Sequence, residues 1–573
     1  MPFELLMQQV PNTNHTPLRL VMQLVKDFFH KNSWFLSSLT IALFVALPII
    51  SVLYLALFPE ENAWVHLINT VLPSYLENTL ILMVGVGSLS LLIGTGAAWL
   101  IAMYDFPGKK ILSWALLLPF AVPAYVIAYV YTDLLEFAGP LQTFLREAMG
   151  WESSQDYWFP TIRSMGGAII MMSLVLYPYI YMLARAAFLE QSVSLYRVSR
   201  SLGASPLSFF IRVSLPIARP AIAVGLSLVL METLNDFGTV DYFAVRTLTA
   251  GLYDTWLNMG NLGGAAQIAL LMVIVVVILI SVERYSRRKQ KQYHPRNSGD
   301  PIPTTKLTGG AAYAATFAAF LPVLLGFIIP LSILSSFAWD NFERSWDEKF
   351  ISYALNSFSL AATAAFITLT LGVILTYTKR LSPSGKTNAL VNISSLGYAI
   401  PGAVLAIGVI IPFAAFDNLV DSWMREYFNI STGLILSGTS FAIIFAYSVR
   451  FLAVASGSVE SSLSKVTPNM DMASRSLGHT QLQTLLQIHL PIIKKSALTG
   501  MLVVFVDCLK ELPATLILRP FNFETLATQV YQFASDELIE QSALSALVIV
   551  IVGIIPIILL DKSISHKPNS SSI

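Results

Sequence analysis

Apolar residues run along this chain in blocks long enough to cross a bilayer, and within each block they are continuous, without a two-residue alternation. A hydrocarbon core about 30 Å thick takes about 20 helical residues to cross. By that length the pattern predicts twelve spans, centred near residues 46, 90, 122, 177, 228, 273, 323, 366, 402, 444, 506 and 551. Continuous runs point to helices, not to a membrane barrel. The first thirty or so residues are polar and contain Arg19, Lys26 and Lys31. The apolar run after them is too long for a signal-peptide core and lacks a small-residue cleavage site, so it reads as a retained first span.

The pattern repeats. Ser-Arg-Ser-Leu-Gly occurs at Ser199 to Gly203 and again at Ser474 to Gly478, and the proline of a Leu-Pro pair lies thirteen residues beyond each glycine, at Pro216 and Pro491. The two copies are offset by 275; Gly225 matches Gly500 at the same offset, while Asn78, Gly94 and Pro123 match Asn356, Gly372 and Pro401 at 278. A drift of three residues is a change in loop length. Self-similarity over this distance implies one six-helix unit, duplicated and fused.

Polar segments set the orientation. With the amino terminus in the cytoplasm, cytoplasmic segments hold 27 of the 35 Lys and Arg, seven lie outside, Arg146, Arg163, Arg246, Arg344, Lys349, Arg425 and Arg519, and Lys510 is left inside a span. This asymmetry predicts both termini inside. The expected organisation is an all-α polytopic membrane protein of two homologous six-helix domains. Residues 1–34 form a cytoplasmic segment, 35–282 the first domain with a loop at 190–218, and 283–310 a basic connector. Residues 311–561 form the second domain with a loop at 457–493, and 562–573 a cytoplasmic tail.

Composition agrees: 55% hydrophobic and 12% charged residues cannot be accommodated in water as one soluble fold. A net charge of +1 argues against a nucleic-acid partner, a lone Cys508 excludes an internal disulfide, and seven scattered histidines give no metal-ligand spacing.

Each pentapeptide loop predicts a helical elbow. Leu195, Val198 and Leu202, and Met470, Ala473 and Leu477, make one apolar stripe, beside Arg197 and Arg200 or Arg475. The glycine permits a chain reversal, and Leu-Pro is expected to end the element before the next span. A rigid elbow between two spans can pass force from a soluble partner into the bilayer.

These loops resemble those of fused permease subunits of bacterial ABC importers, whose pattern is Glu-Ala-Ala, three residues, Gly, nine residues, Ile, one residue, Leu-Pro. Gly203, Val213, Leu215 and Pro216 take those places in one copy, and Gly478, Ile488, Leu490 and Pro491 in the other. The leading glutamate is replaced by Arg197 and Met472, and the alanines by Val198 and Ser199 and by Ala473 and Ser474. Within that family, Glu232-Thr-Leu-Asn-Asp-Phe-Gly-Thr-Val-Asp-Tyr-Phe and Lys510-Glu-Leu-Pro-Ala-Thr resemble stretches of iron(III) permeases; thiamine and phosphonate permeases are also similar. The resemblance implies an inner-membrane transport subunit that is not itself an enzyme and binds no cofactor. Two copies of a cytoplasmic ATPase, which would hold ATP and Mg, would seat on the elbows, and a periplasmic binding protein would deliver substrate. The chain's own Gly385-Lys386-Thr387 is no phosphate loop, because Arg380 stands where the first glycine is required.

Acids recur at the far ends of the fifth and eleventh spans: Glu232 matches Asp507 and Asp236 matches Glu511, with Asp241 beyond. Ionisable groups at membrane depth usually face a bundle interior or a water path, and oxygen ligands suit a hard trivalent cation. Two readings stand for them, a substrate path, or helix capping and neutralisation by Lys510. Pro123 and Pro401 are expected to kink the third span of each half. A secondary transporter with twelve spans is the competing class.

Overall fold

A computed structural model describes residues 17–59, 62–287, 304–464 and 466–565. Most of the basic connector, residues 288–303, and the extreme termini lie outside the described residues. Among the described residues, ten helices are long and apolar enough to cross a membrane, and a bent helix pair raises this to eleven. The remaining expected span corresponds to Leu490–Leu509, a 20-residue helix made more polar by Lys494, Lys495 and Asp507. Twenty residues at 1.5 Å each still give about 30 Å.

The repeat in sequence is a repeat in space. Asn78 donates to the Arg246 carbonyl and Asn356 to the Glu524 carbonyl, both at 3.0 Å. Gly94 lies against Tyr177 and Ile180, and Gly372 against Ala455 and Ser456, so that a Cβ at either position would come within about 3 Å of a neighbouring helix backbone. Small residues let membrane helices approach this closely.

Each half's first span also reaches across to the other half. The helix Pro17–Leu57 packs on Glu348–Leu381 and Gly402–Phe428 as well as on Leu262–Arg287 of its own half, and the seventh span, Gly310–Asp340, packs on first-half helices Leu72–Met103 and Ala124–Leu135 as well as on Ile539–Ser565 of its own. Ser38 Oγ donates to Thr378 Oγ1 at 2.8 Å, and Tyr131 OH donates to the Leu325 carbonyl at 2.7 Å. A Cβ on Gly408 would sit 2.3 Å from the Pro48 carbonyl oxygen. Each of the two large apolar clusters accordingly draws residues from both halves. Near the elbow side, Tyr104–Asp105 pairs in parallel with Thr305–Lys306, tying the second span's end to the start of the second half.

Two expectations are corrected. Pro123 and Pro401 do not kink a helix; they break it. Each stands in extended backbone, ψ 144° and 141°, between a short 3₁₀ turn and a new helix starting at Ala124 or Gly402. Proline lacks the N–H and pushes the residue before it out of the helical region, and Val122 and Ile400 are both extended. In the first half the two flanking pieces diverge by 92°. Nor does Leu-Pro end the elbow. Pro206–Phe209, a π-helical turn Phe210–Ser214 and Leu215–Asn235 form one continuous 30-residue span. The second copy does the same through Leu485–His489. The wide turn closes with Leu215 N–H on the Phe210 carbonyl and Leu490 N–H on the Leu485 carbonyl, so each following proline is absorbed without a stop.

Candidate functional site

Two kinds of site emerge, a matched pair of elbows and a polar cavity between the halves.

The elbow helices are Val193–Ser201 and Pro468–Ser476. Each ends in the same reversal. Gly203 and Gly478 hold φ of +79° and +82°, their N–H groups reach the Arg200 and Arg475 carbonyls, and the next N–H reaches Ser199 or Ser474. This six-to-one and five-to-two bonding caps a helix with a left-handed residue, which glycine adopts without a Cβ clash. Ser205 and Thr480 then cap the returning helix.

The apolar stripe faces outward in both copies. Leu195, Val198 and Leu202 are exposed, Leu202 to 81%, and Met470, Ala473 and Leu477 likewise, Leu477 to 77%, with Met472 exposed beside them. Leu207 and Ile211, and Leu482 and Leu486, extend the stripes onto the returning helices. Arg197, Arg200, Arg475, Pro216 and Pro491 are also exposed; Ser199, Leu215 and Leu490 are half-buried, and Ser474 is buried on Thr484 at 2.7 Å. Each elbow is thus an amphipathic helix anchored at its base with a bare apolar face.

The cavity, about 110 Å³, lies where the two proline breaks meet the ends of the fifth and eleventh spans. It brings together Glu232, Asp236, Asp507 and Glu511. Asp241 is not among them; it is exposed and accepts from Tyr531 OH at 2.7 Å. Asp236 caps the short helix Gly238–Tyr242, accepting from Thr239 N, Val240 N and Thr239 Oγ1 at 3.0, 3.2 and 3.0 Å. Glu511 caps Pro513–Leu518 in the same way through Ala514 N, Thr515 N and Thr515 Oγ1 at 3.1, 3.2 and 3.0 Å. Asp507 pairs with Lys510 at 2.9 Å, and that ammonium sits 4.0 Å over the Phe120 ring.

The sequence reading missed Arg450. It is buried in the cavity wall, 3.0 Å from Glu511, and also donates to Asn235 Oδ1 at 3.2 Å. Asn235 in turn accepts from Gly402 N at 2.6 Å, joining first-half and second-half helix ends. A lone arginine inside an apolar span was the available signal. Gly402 is there because a Cβ would meet Arg450 Nη1 at 2.3 Å and Glu511 Oε1 at 2.5 Å. Four carboxylates against two cations, both cations ion-paired, leave the cavity with an excess of acid. Among the described residues no group of three or more His, Cys, Asp or Glu is arranged to hold a metal ion.

At the elbow side, His489 Nε2 lies 2.6 Å from Asp471 Oδ1.

The comparisons agree with this geometry. A family model described as binding-protein-dependent transport system inner membrane component matches residues 90–291 and again 368–568, once in each half. The chain is 26% identical over 492 residues to an Fe(3+)-transport system permease protein, FbpB 2, of Haemophilus influenzae, covering 85% of this chain and 89% of that one. It is 27% identical to the molybdenum transport system permease protein ModB of Escherichia coli over 35% of this chain and 88% of that one. A probable sulfate transport system permease protein, cysT, of Nephroselmis olivacea is 29% identical over 25% of this chain and 47% of its own length. With both halves matched and the spans in place, the chain belongs to the binding-protein-dependent transport system inner membrane component family, as the multi-pass inner-membrane permease component of an ABC transporter.

Proposed function

We propose that this permease carries iron(III), handed over by a periplasmic binding protein and driven by two copies of a cytoplasmic ATPase seated on the elbows. The observation that carries the substrate reading is the span of the likeness. The Fe(3+) permease of Haemophilus influenzae is matched through both halves, whereas the molybdenum and sulfate permeases are matched over 35% and 25% of this chain. The acid excess in the cavity supports a cation. An oxyanion would need free positive charge there, and Arg450 and Lys510 are both held by carboxylates. The acids of the cavity stand beside polar helix ends and carry their negative charge into the path between the halves, which would favour passage of a hard cation over its entry into bare hydrocarbon.

In this reading, closing of the ATPases pushes the elbows together, and the two six-helix units rock about the cavity. Hydrolysis would occur on the ATPase chains, since this chain has Arg380 where a phosphate loop needs its first glycine. Its Lys386-Thr387 pair opens the helix Gly385–Ser394, where Ser384 and Thr387 form a capping box.

The test is uptake of radioactive iron(III) by cells lacking the chain and then regaining it, with molybdate and thiamine as controls. Loss and recovery of iron uptake alone supports the proposal. A molybdate or thiamine defect with normal iron uptake would overturn it.

A further inference from the structure

The two elbows are alike outside and different underneath. Four equivalent positions form the seat of each elbow: Trp99, Ala102, Tyr196 and Ser214 in the first half, and Tyr377, Arg380, Asp471 and His489 in the second. The first pair in each set sits at the end of the second or eighth span, the third on the elbow helix, the fourth in the π-helical turn.

In the first half the seat is aromatic. Trp99 packs against Phe188, Phe209 and Phe210 with ring centroids 5.4, 6.1 and 4.6 Å away, and Tyr196 meets Phe209 at 5.3 Å. Ser214 donates through Oγ to Gln191 Oε1 at 2.5 Å and its carbonyl accepts from Gln191 Nε2 at 2.9 Å, so the directed bonds of this seat stay in the turn before the elbow, while the elbow helix itself meets the span through rings.

In the second half the seat is ionic. Arg380 donates through Nε to Asp471 Oδ2 at 3.0 Å, and through its two remaining nitrogens to the carbonyls of Leu463 and Val466 at 2.8 and 2.9 Å. Those carbonyls belong to the end of the tenth span and the turn into the elbow. Asp471 reaches on to His489, and Tyr377 OH donates to the Gln481 carbonyl at 2.7 Å. One guanidinium therefore ties the eighth span, the tenth span and the elbow helix, and Asp471 adds the base of the eleventh. Arginine's planar fork suits this because each bond has a fixed direction, unlike van der Waals contact between rings. The side chains of Arg380 and Asp471 are only 16% and 23% exposed, which keeps solvent from weakening the pair.

We propose that Arg380 and Asp471 are positioning residues for coupling: they fix the second elbow to three spans as one rigid body, so that the second half follows its ATPase more stiffly than the first. This rests on the reading that the elbows dock the ATPase. The consequence is an unequal machine built from a duplicated unit, with one stiff and one compliant transmission.

The test uses the full permease with its co-purifying ATPase in proteoliposomes. The readout is the ratio of ATP hydrolysis with the periplasmic binding protein present to hydrolysis without it, which does not depend on the substrate's identity. Arg380→Gln and Asp471→Asn are each expected to lower that ratio about tenfold, since each removes a charge-assisted bond of the buried node. Trp99→Leu in the first half should lower it less than threefold. Arg380→Lys, which keeps the charge and loses the fork, should fall between. Docking is read separately, by cross-linking Leu202→Cys and Leu477→Cys to the ATPase. Cross-links at both sites with an unchanged ratio in Arg380→Gln and Asp471→Asn would overturn the proposal alone. Failure of both cross-links would overturn the docking reading and the proposal with it. Equal falls for Trp99→Leu and Arg380→Gln would overturn the asymmetry.

Discussion

Asn235 of the first half and Arg450 of the second meet at 3.2 Å, and the same guanidinium is held by Glu511 at 3.0 Å. The contact between halves at the cavity is therefore a hydrogen bond to Asn235 from one member of a buried ion pair that lies within the second half. Removing one partner of such a pair leaves the other charge buried and alone. Arg450→Met and Glu511→Gln are each expected to cost about 3–5 kcal/mol of stability. The double variant Arg450→Met with Glu511→Leu should recover much of that loss. Thermal unfolding of the purified protein measures it; a double variant as unstable as both losses added would show that the two groups do not act as a unit.

Asp236 and Glu511 cap equivalent helices, yet only Glu511 also holds an arginine. Asp236→Ala should therefore cost about 1 kcal/mol, the ordinary loss of a helix cap, and less than Glu511→Ala in the same unfolding experiment. Uptake separates path from scaffold: Asp236→Asn keeps acceptor geometry and removes charge, so a fall in iron uptake with unchanged stability would mean that the charge itself faces the cargo.

Gly402 and Gly408 should resist alanine. In the first, the added carbon would press on Arg450 and Glu511; in the second, on the backbone of the first span at Pro48. Overpacking of this kind costs about 1–3 kcal/mol. Gly408→Ala should show it as faster proteolysis of the first span from the protein in membranes, whereas Gly457→Ala, with nothing near its position, should change neither.

The reversal glycines make a paired prediction. A side chain at φ near +80° costs roughly 1–2 kcal/mol locally. Gly203→Ala and Gly478→Ala should leave the bundle's unfolding temperature nearly unchanged while lowering uptake, because the strain falls on the elbows. Equal loss of stability and uptake would count against an elbow function.

What could be read from the sequence was what local backbone physics encodes. The elbows were legible because a glycine after a short amphipathic helix and a fixed distance to proline leave few conformations. The prolines themselves misled in both directions. Pro123 and Pro401 looked like kinks, but extended backbone at Val122 and Ile400 turns each into a break. Pro216 and Pro491 looked like stops, but a π-helical turn ahead of each leaves the helix running. The polar contacts that join elements were not legible at all. Arg450 and Glu511 lie 61 residues apart, Arg380 and Asp471 91, and no periodicity links them. The acids at the cavity were found by their repeat, whereas their service as helix caps follows from the short helices Gly238–Tyr242 and Pro513–Leu518, which the apolar pattern did not separate from the spans.

The packing of the first span on the second half also sets a timetable for biosynthesis. Ser38 bonds to Thr378, 340 residues further along the chain. At a synthesis rate of about 5–20 residues per second, the first helix would wait roughly 20–70 s in the bilayer before its partner is made. Once the sixth span Leu262–Arg287 is made the first can pack on it, but until the eighth and ninth follow, its Ser38 hydroxyl and the flank that meets them have only lipid and the insertion machinery for company. A newborn first half is thus an unfinished object, and whatever holds its leading helix in readiness is as much a part of folding as the second half that claims it.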